Sequence, residues 1–481
     1  MSYFSFRLKE ALKKSNENNP VMVQRFGADP YALVYDGRVY LYMTGDSFIY
    51  DENGEITENT FANINTINVI SSEDLVNWTD HGTIYAAGKE GEATWGNNSW
   101  APAAAYKIID GKPKFFLYFA NSGNGIAVLE ADSPVGPFKD PIGGPLISRQ
   151  TPTCAEVTWL FDPAVLMDDD GECYIYFGGG IPSPDKAANP GTARVAKLGK
   201  DMISLEGNPV AIENVPYLFE DSGINKIQGS YYYSFCSNFS IPDEKIPELG
   251  YDRGEILVMK SDKPMGPFTL QGSILKNPGY FFGQGGNNHH CMFTFHDQLY
   301  MSYHARLLEE RMGVLHSYRS TNLNLVKVEE DGRIAPIEGT KEGVKQLKYL
   351  NPYETQKAVT MASMAGIQTT QFGESAVLCG SVDMIVSGMS DGSWVEVRGV
   401  DFGKETAKEL QVSLCKAGSG AIYVCLDNPD SEPVCKVLVS GQEEDKLSVL
   451  CGSVNRELSG VHDVFFVFEG EGYQVYDWKF Q

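Results

Sequence analysis

Asp36-Gly37-Arg38-Val39-Tyr40-Leu41-Tyr42 is a turn signal followed by an alternating aliphatic and aromatic run. That is the pattern of a β-strand leaving a hairpin. The pattern returns at residues 111–118 (GKPKFFLY), at Gly171-Glu172-Cys173-Tyr174-Ile175-Tyr176, at Gly229-Ser230-Tyr231-Tyr232-Tyr233 and at His296-Asp297-Gln298-Leu299-Tyr300-Met301. A second echo links residues 132–138 (DSPVGPF) with residues 262–268 (DKPMGPF), about two periods apart. A repeat of roughly 60–75 residues, long enough for four short strands, reads as one propeller blade. Five copies predict a five-bladed β-propeller over residues 21–345, after a short amphipathic lead-in at 1–20.

Beyond residue 345 the period stops. Short strands at closer spacing, such as Trp394-Val395-Glu396-Val397 and the runs at 410–415, 421–426, 434–439 and 464–468, predict a β-sandwich of jelly-roll type over 346–481. The fold class is therefore all-β.

Composition narrows the partners. Asp and Glu number 63 against 39 Lys and Arg, a formal charge of −24. That field repels nucleic acid and anionic membranes, so neither is an expected partner. No apolar run is long enough for a membrane span. The first 20 residues contain no uninterrupted apolar segment of signal-peptide type, and the nine cysteines form no CxxC pair. A cytoplasmic, reducing location is the expectation.

A short step back from each aromatic run lands on Asp29, on Trp100-Ala101-Pro102, on Asp162, on Glu220 and on His289. In a propeller the innermost strands converge on the axis, so residues at one register meet in one pocket. Three crowded carboxyls cannot all stay ionised, and that asymmetry supplies both an acid and a base. Asp29 and Asp162 each precede proline and, taken singly, would read as turn caps. Their coincidence with Glu220 at one register is what points to catalysis. His289 and His290 read from the residues alone as a polar cluster or a zinc site.

Four motifs in order, Gly27-Ala28-Asp29-Pro30, Ser99-Trp100-Ala101-Pro102, Phe161-Asp162-Pro163-Ala164 and Phe219-Glu220-Asp221-Ser222, resemble glycoside hydrolase family 43 over about residues 20–340. The resemblance implies an inverting glycosidase with Asp29 as general base, Glu220 as general acid, and Asp162 raising and orienting the acid. Inversion requires carboxyls roughly 6.5–9.5 Å apart. It also implies a structural calcium held by His289 in the central channel, and an active-site arginine at Arg306, whose plainer reading is a salt bridge between blades. Trp100, Trp159 and Phe239 lie near the register as sugar-stacking candidates, and Asn288 belongs to the Asn287-Asn288-His289-His290 motif.

The C-terminal part resembles a family 6 carbohydrate-binding module. Lys357-Ala358-Val359 replaces its usual acidic calcium motif, and Gln474-Val475-Tyr476 replaces its usual ligand asparagine. A structural brace or a binding module are both open readings. The resemblance leans to α-L-arabinofuranosidases, removing terminal arabinofuranosyl branches from arabinoxylan or arabinoxylan-derived oligosaccharides. A β-xylosidase acting on xylo-oligosaccharides is the alternative, and a non-catalytic glycan-binding propeller is the alternative of another class.

Overall fold

The computed structural model describes residues 3–372, 383–404, 406–415, 418–440 and 447–481. Up to Val326 the chain folds into five successive antiparallel sheets. Their innermost strands are Ala28–Tyr35, Trp100–Ile109, Ala164–Met167, Leu218–Ile227 and His290–Phe295. Each packs on the next, and the fifth packs back on the first, so the sheets close a ring in the manner of a β-propeller. The Gly-led runs of the sequence are the second strands of these sheets.

Apolar side chains fill the five gaps between sheets. Leu33 and Tyr42 meet Leu117 and Phe119 between the first and second sheets, and Leu41 and Met43 meet Phe293 and Leu323 between the first and fifth. Truncating such a fully buried leucine to alanine costs about 2–5 kcal/mol. The second echo also has a physical cause. Tyr42 and Tyr176 hold the same place in their strands, and each donates its hydroxyl to a proline carbonyl of the repeated motif, Pro134 and Pro264, at 2.5 Å.

The fifth sheet has three strands, against four in the fourth sheet and five in the first. Among the described residues no strand from the start of the chain is borrowed to complete it. Instead, Asn19 Nδ2 donates to Leu323 O at 3.0 Å and Thr340 O at 2.8 Å, and Thr321 Oγ1 donates to Gly27 O at 2.8 Å.

Past the ring, the linker adds Thr360–Met361 to the outer edge of the first sheet, opposite Thr79 and Trp78. Two sheets then face each other as a sandwich around Leu410, Val412, Ile422, Val424, Val464 and Phe480. Asn77 locks the sandwich to the ring: its Nδ2 donates to Arg398 O and its Oδ1 accepts from Arg398 N, both at 2.8 Å. The lead-in also joins the sandwich. It lies extended along the sandwich, with Phe4 in a core with Trp394 and Phe465, and Lys9 exchanging backbone and indole hydrogen bonds with Gly392 and Trp394. Its apolar residues pack on the sandwich.

Eight cysteines are described, and all but Cys451 are buried, as expected of small apolar core residues. Cys379 lies outside the described residues. No helix among the described residues is long and apolar enough to cross a membrane.

Candidate active site

Three inner strands begin with the same backbone kink. Asp29, Ala101 and Asp162 take φ of 47°, 43° and 50°, and regular pairing starts two residues later at Tyr31, Ala103 and Ala164. In the fourth sheet the kinked residue is Asp221, with φ of 70° and pairing from Gly223. Asp221 therefore stands at the shared register, and Glu220 precedes it by one. A bulge of this kind re-aims side chains without moving the strand. The left-handed region is one that Asp tolerates better than most residues.

The kinks turn Asp29, Asp162 and Glu220 into one pocket of about 130 Å³, completed by Phe61, Trp100, Ala101, Phe161, Asn287, His289 and Arg319. That is below the range of drug-sized ligand sites, in keeping with a single sugar unit. A cleft of about 330 Å³ adjoins it, sharing Phe61, Glu220, Asn287 and Arg319 and adding Phe219, Gln284 and Arg306.

The three carboxyls have unlike surroundings. Asp29 Oδ1 accepts from Arg319 Nη1 at 2.8 Å. Burial opposes the charge of Asp29, but the Arg319 guanidinium, the His304 contact and the nearby imidazoles override it and hold the carboxyl well below its usual range. His304 Nε2 faces Asn287 O at 3.0 Å and so carries a proton there. Its Nδ1 lies 3.2 Å from the Asp29 N–H and 3.0 Å from Asp29 Oδ1. Arg319 is itself clamped by Asp46, which accepts from its Nε at 3.0 Å and Nη2 at 2.9 Å.

Glu220 has the opposite fate. Burial, then the charges of Asp162, Asp29 and Asp221, push its carboxyl well above the usual range, and its buried Oε1 has no protein hydrogen-bond partner. Asp162 is raised as well, by burial first and by the charge of Asp29 second, although it accepts the Asp221 N–H at 2.9 Å.

Beneath the pocket, the Asp221 carboxylate meets His290 Nδ1 at 2.5 Å and His289 Nε2 at 3.1 Å, while His290 Nε2 meets Ser234 Oγ at 2.7 Å. His289 Nδ1 stands 3.7 Å from Asp29 Oδ1 and 3.8 Å from Asp162 Oδ2, and burial lowers its basicity. A calcium ion on the axis would have His289 as its one side-chain ligand and water for most of the rest. Among the described residues no three His, Cys, Asp or Glu side chains are placed to hold one metal ion, whereas calcium takes six to eight oxygen ligands. No chemistry below depends on a metal.

The other expected contacts divide. Trp100 lines the pocket, with an indole N–H that has no protein partner. Trp159 stands behind it, packed edge-on to Phe161 and Phe219, which do line the cavities. Phe239 is outside both cavities, exposed and packed against Phe219. Asn288 is fully buried, with its Nδ2 spent on Gly254 O at 3.0 Å, and its neighbour Asn287 is the asparagine on the cavity wall. Arg306 pairs with Glu309 and borders only the outer cleft. The arginine at the carboxyls is Arg319, which the sequence reading missed along with Phe61 and Asp46. All three sit on connections outside the repeat register. The only available signal was an isolated arginine, Tyr318-Arg319-Ser320, leading into a strand.

Comparison with known proteins agrees with this geometry. Residues 17–334 match the family model of glycosyl hydrolases family 43, and residues 357–481 match that of carbohydrate binding module (family 6). The arabinoxylan arabinofuranohydrolase of Paenibacillus polymyxa is 46% identical over 470 residues, covering 96% of this chain and 73% of that protein. A protein of the same name from Bacillus subtilis (strain 168) is 45% identical over 475 residues, covering 96% and 91%. The crystal structure of a family 43 arabinoxylan arabinofuranohydrolase from Bacillus subtilis, in complex with cellotetraose, superposes with a TM-score of 0.92 at 43% identity, covering 98% of this chain and 99% of that one.

Proposed function

The chain belongs to glycosyl hydrolase family 43, and from that premise we propose that it removes terminal α-L-arabinofuranosyl residues from arabinoxylan or its oligosaccharides, with inversion. The ring of five sheets supports reading residues 21–345 as one five-bladed β-propeller whose axis holds the site.

The observation that carries the mechanism is the opposite electrostatic fate of two carboxyls in one pocket. Asp29 is held ionised by Arg319, as a general base must be, and Glu220 is held protonated, as a general acid must be. In the reaction, Asp29 takes a proton from water as its oxygen attacks the anomeric carbon. Glu220 gives its proton to the glycosidic oxygen as the bond to the anomeric carbon breaks. Asp29 is then protonated and Glu220 ionised, and exchange with solvent resets both. Asp162, fixed by the Asp221 N–H, is one of the acidic neighbours that push the Glu220 carboxyl toward its protonated form. The names of the relatives at 45–46% identity support arabinofuranoside over xyloside as the substrate.

The test is hydrolysis of 4-nitrophenyl α-L-arabinofuranoside by wild type, Asp29→Asn and Glu220→Ala, with the first-formed anomer read by NMR. Loss of about 10²–10⁴-fold is expected in Asp29→Asn and a smaller loss in Glu220→Ala, since nitrophenolate departs without a proton, with β-arabinose as the initial product. An initial α-anomer, or undiminished activity in both variants, overturns the proposal.

A further inference from the structure

Phe61 lies on the 45–65 connection between the second and third strands of the first sheet. The connection holds only the isolated bridge Tyr50–Ile56, and connections this long in a compact domain are uncommon and usually functional. Among the residues lining the inner pocket, Phe61 alone stands away from the start of any strand. It also lines the outer cleft. Phe61 and Glu220 thus both stand where the two cavities meet, which is where the bond between a released sugar and its remainder must lie.

Two further observations show that this position is built. Phe61 has φ of 58°, a left-handed backbone that favours glycine or asparagine and that a bulky side chain adopts only when its surroundings impose it. The surroundings do impose it. Phe61 N donates to Asn59 Oδ1 at 3.1 Å, and Asn59 N donates to His316 O at 2.9 Å. Tyr318 OH donates to Thr57 O at 3.0 Å and accepts from Ile49 N at 2.8 Å. The connection is therefore tied at both flanks to the segment that carries Arg319. The Phe61 ring in turn lies over the Arg319 guanidinium, 4.8 Å from ring centroid to Cζ, a cation–π distance.

Resting on the reading above, we infer that Phe61 is a specificity-determining wall, closing the mouth of the inner pocket so that a compact furanose ring is accepted and a pyranose is refused. The strained backbone holds the ring in place, and Arg319 anchors its face. Shape is the discriminating agent, since a phenyl ring offers no hydrogen bond to sugar hydroxyls.

The experiment measures kcat/KM of wild type, Phe61→Ala and Phe61→Gly on 4-nitrophenyl α-L-arabinofuranoside and 4-nitrophenyl β-D-xylopyranoside, with Tm for each protein. Both substitutions are expected to lower the furanoside value and to raise the pyranoside-to-furanoside ratio by about tenfold or more, the scale of a lost apolar contact in a pocket. Phe61→Gly also relieves the left-handed backbone, so its Tm is expected to stay level or rise. A role confined to folding would lower both substrates together and lower Tm. A ratio unmoved against an arabinofuranoside-selective wild type overturns the inference alone. A wild type that prefers the xyloside, with a ratio still moved by both substitutions, keeps the wall and overturns the arabinofuranoside reading.

Discussion

Arg319 Nη1 donates to Asp29 Oδ1 across 2.8 Å, joining residues 290 positions apart at the junction of the fifth and first sheets. The cation that keeps one carboxyl ionised is thus also a closure of the ring.

Removing that cation by Arg319→Met is expected to lower kcat by about 100-fold. Asp29 then loses its main stabilising charge, and burial drives its carboxyl upward. A base must be ionised to act, so the acid limb of the kcat/KM profile moves to higher pH. An unmoved acid limb would show that Arg319 does not set the charge of Asp29.

Glu220→Gln should cost most where the leaving group is poor. Loss on arabinoxylo-oligosaccharides is expected to exceed loss on the nitrophenyl glycoside by about tenfold or more, because nitrophenolate departs without a proton. Equal losses on both would mean that Glu220 does not protonate the leaving oxygen.

Asp162→Asn removes a charge that raises the Glu220 carboxyl. The acid then ionises more readily, and the alkaline limb of kcat/KM moves to lower pH. The substitution also bears on stability. A buried acid with a raised folded value penalises the folded state once pH exceeds the ordinary Asp range near 3.9. The asparagine is therefore expected to raise Tm by a few degrees at neutral pH and to change it little near pH 3, as thermal melts at both values would show.

Asn77→Ala leaves the Arg398 backbone N–H without its buried partner and removes one of two donors to the Arg398 C=O, which keeps Gln346 Nε2 at 3.0 Å. A loss of about 1–3 kcal/mol in unfolding free energy is expected, read by urea denaturation. A change within 0.5 kcal/mol, roughly that of a surface substitution, would place the docking energy elsewhere, in the added Thr360–Met361 strand.

The repeat was legible because hairpin turns need particular residues and strands of a ring need buried aromatics, so Gly37, Gly111, Gly171 and Gly229 mark the sheets openly. The three carboxyls were legible because their register follows from the same pattern. What escaped was anything decided by a bulge or by a connection. One kinked residue shifts Asp221 into the place that counting assigns to Glu220. Asn287 rather than Asn288 faces the cavity because the following strand, with His290 its first paired residue, turns Asn288 inward. Arg306 and Arg319 stand on either side of a short helix. Only the buried carboxylate of Asp46, folded in from the far side of the junction, selects Arg319.

The three-stranded fifth sheet has a thermal consequence. Its junction with the first sheet is held by side chains and isolated hydrogen bonds instead of a shared ladder, so local opening there needs less free energy than unravelling any sheet. Asp29 and Arg319 face each other across that junction. Heat should therefore silence the enzyme before the β-sheet signal in circular dichroism falls, and cooling at that stage should restore it. Catalytic output becomes a gauge of whether the ring is shut.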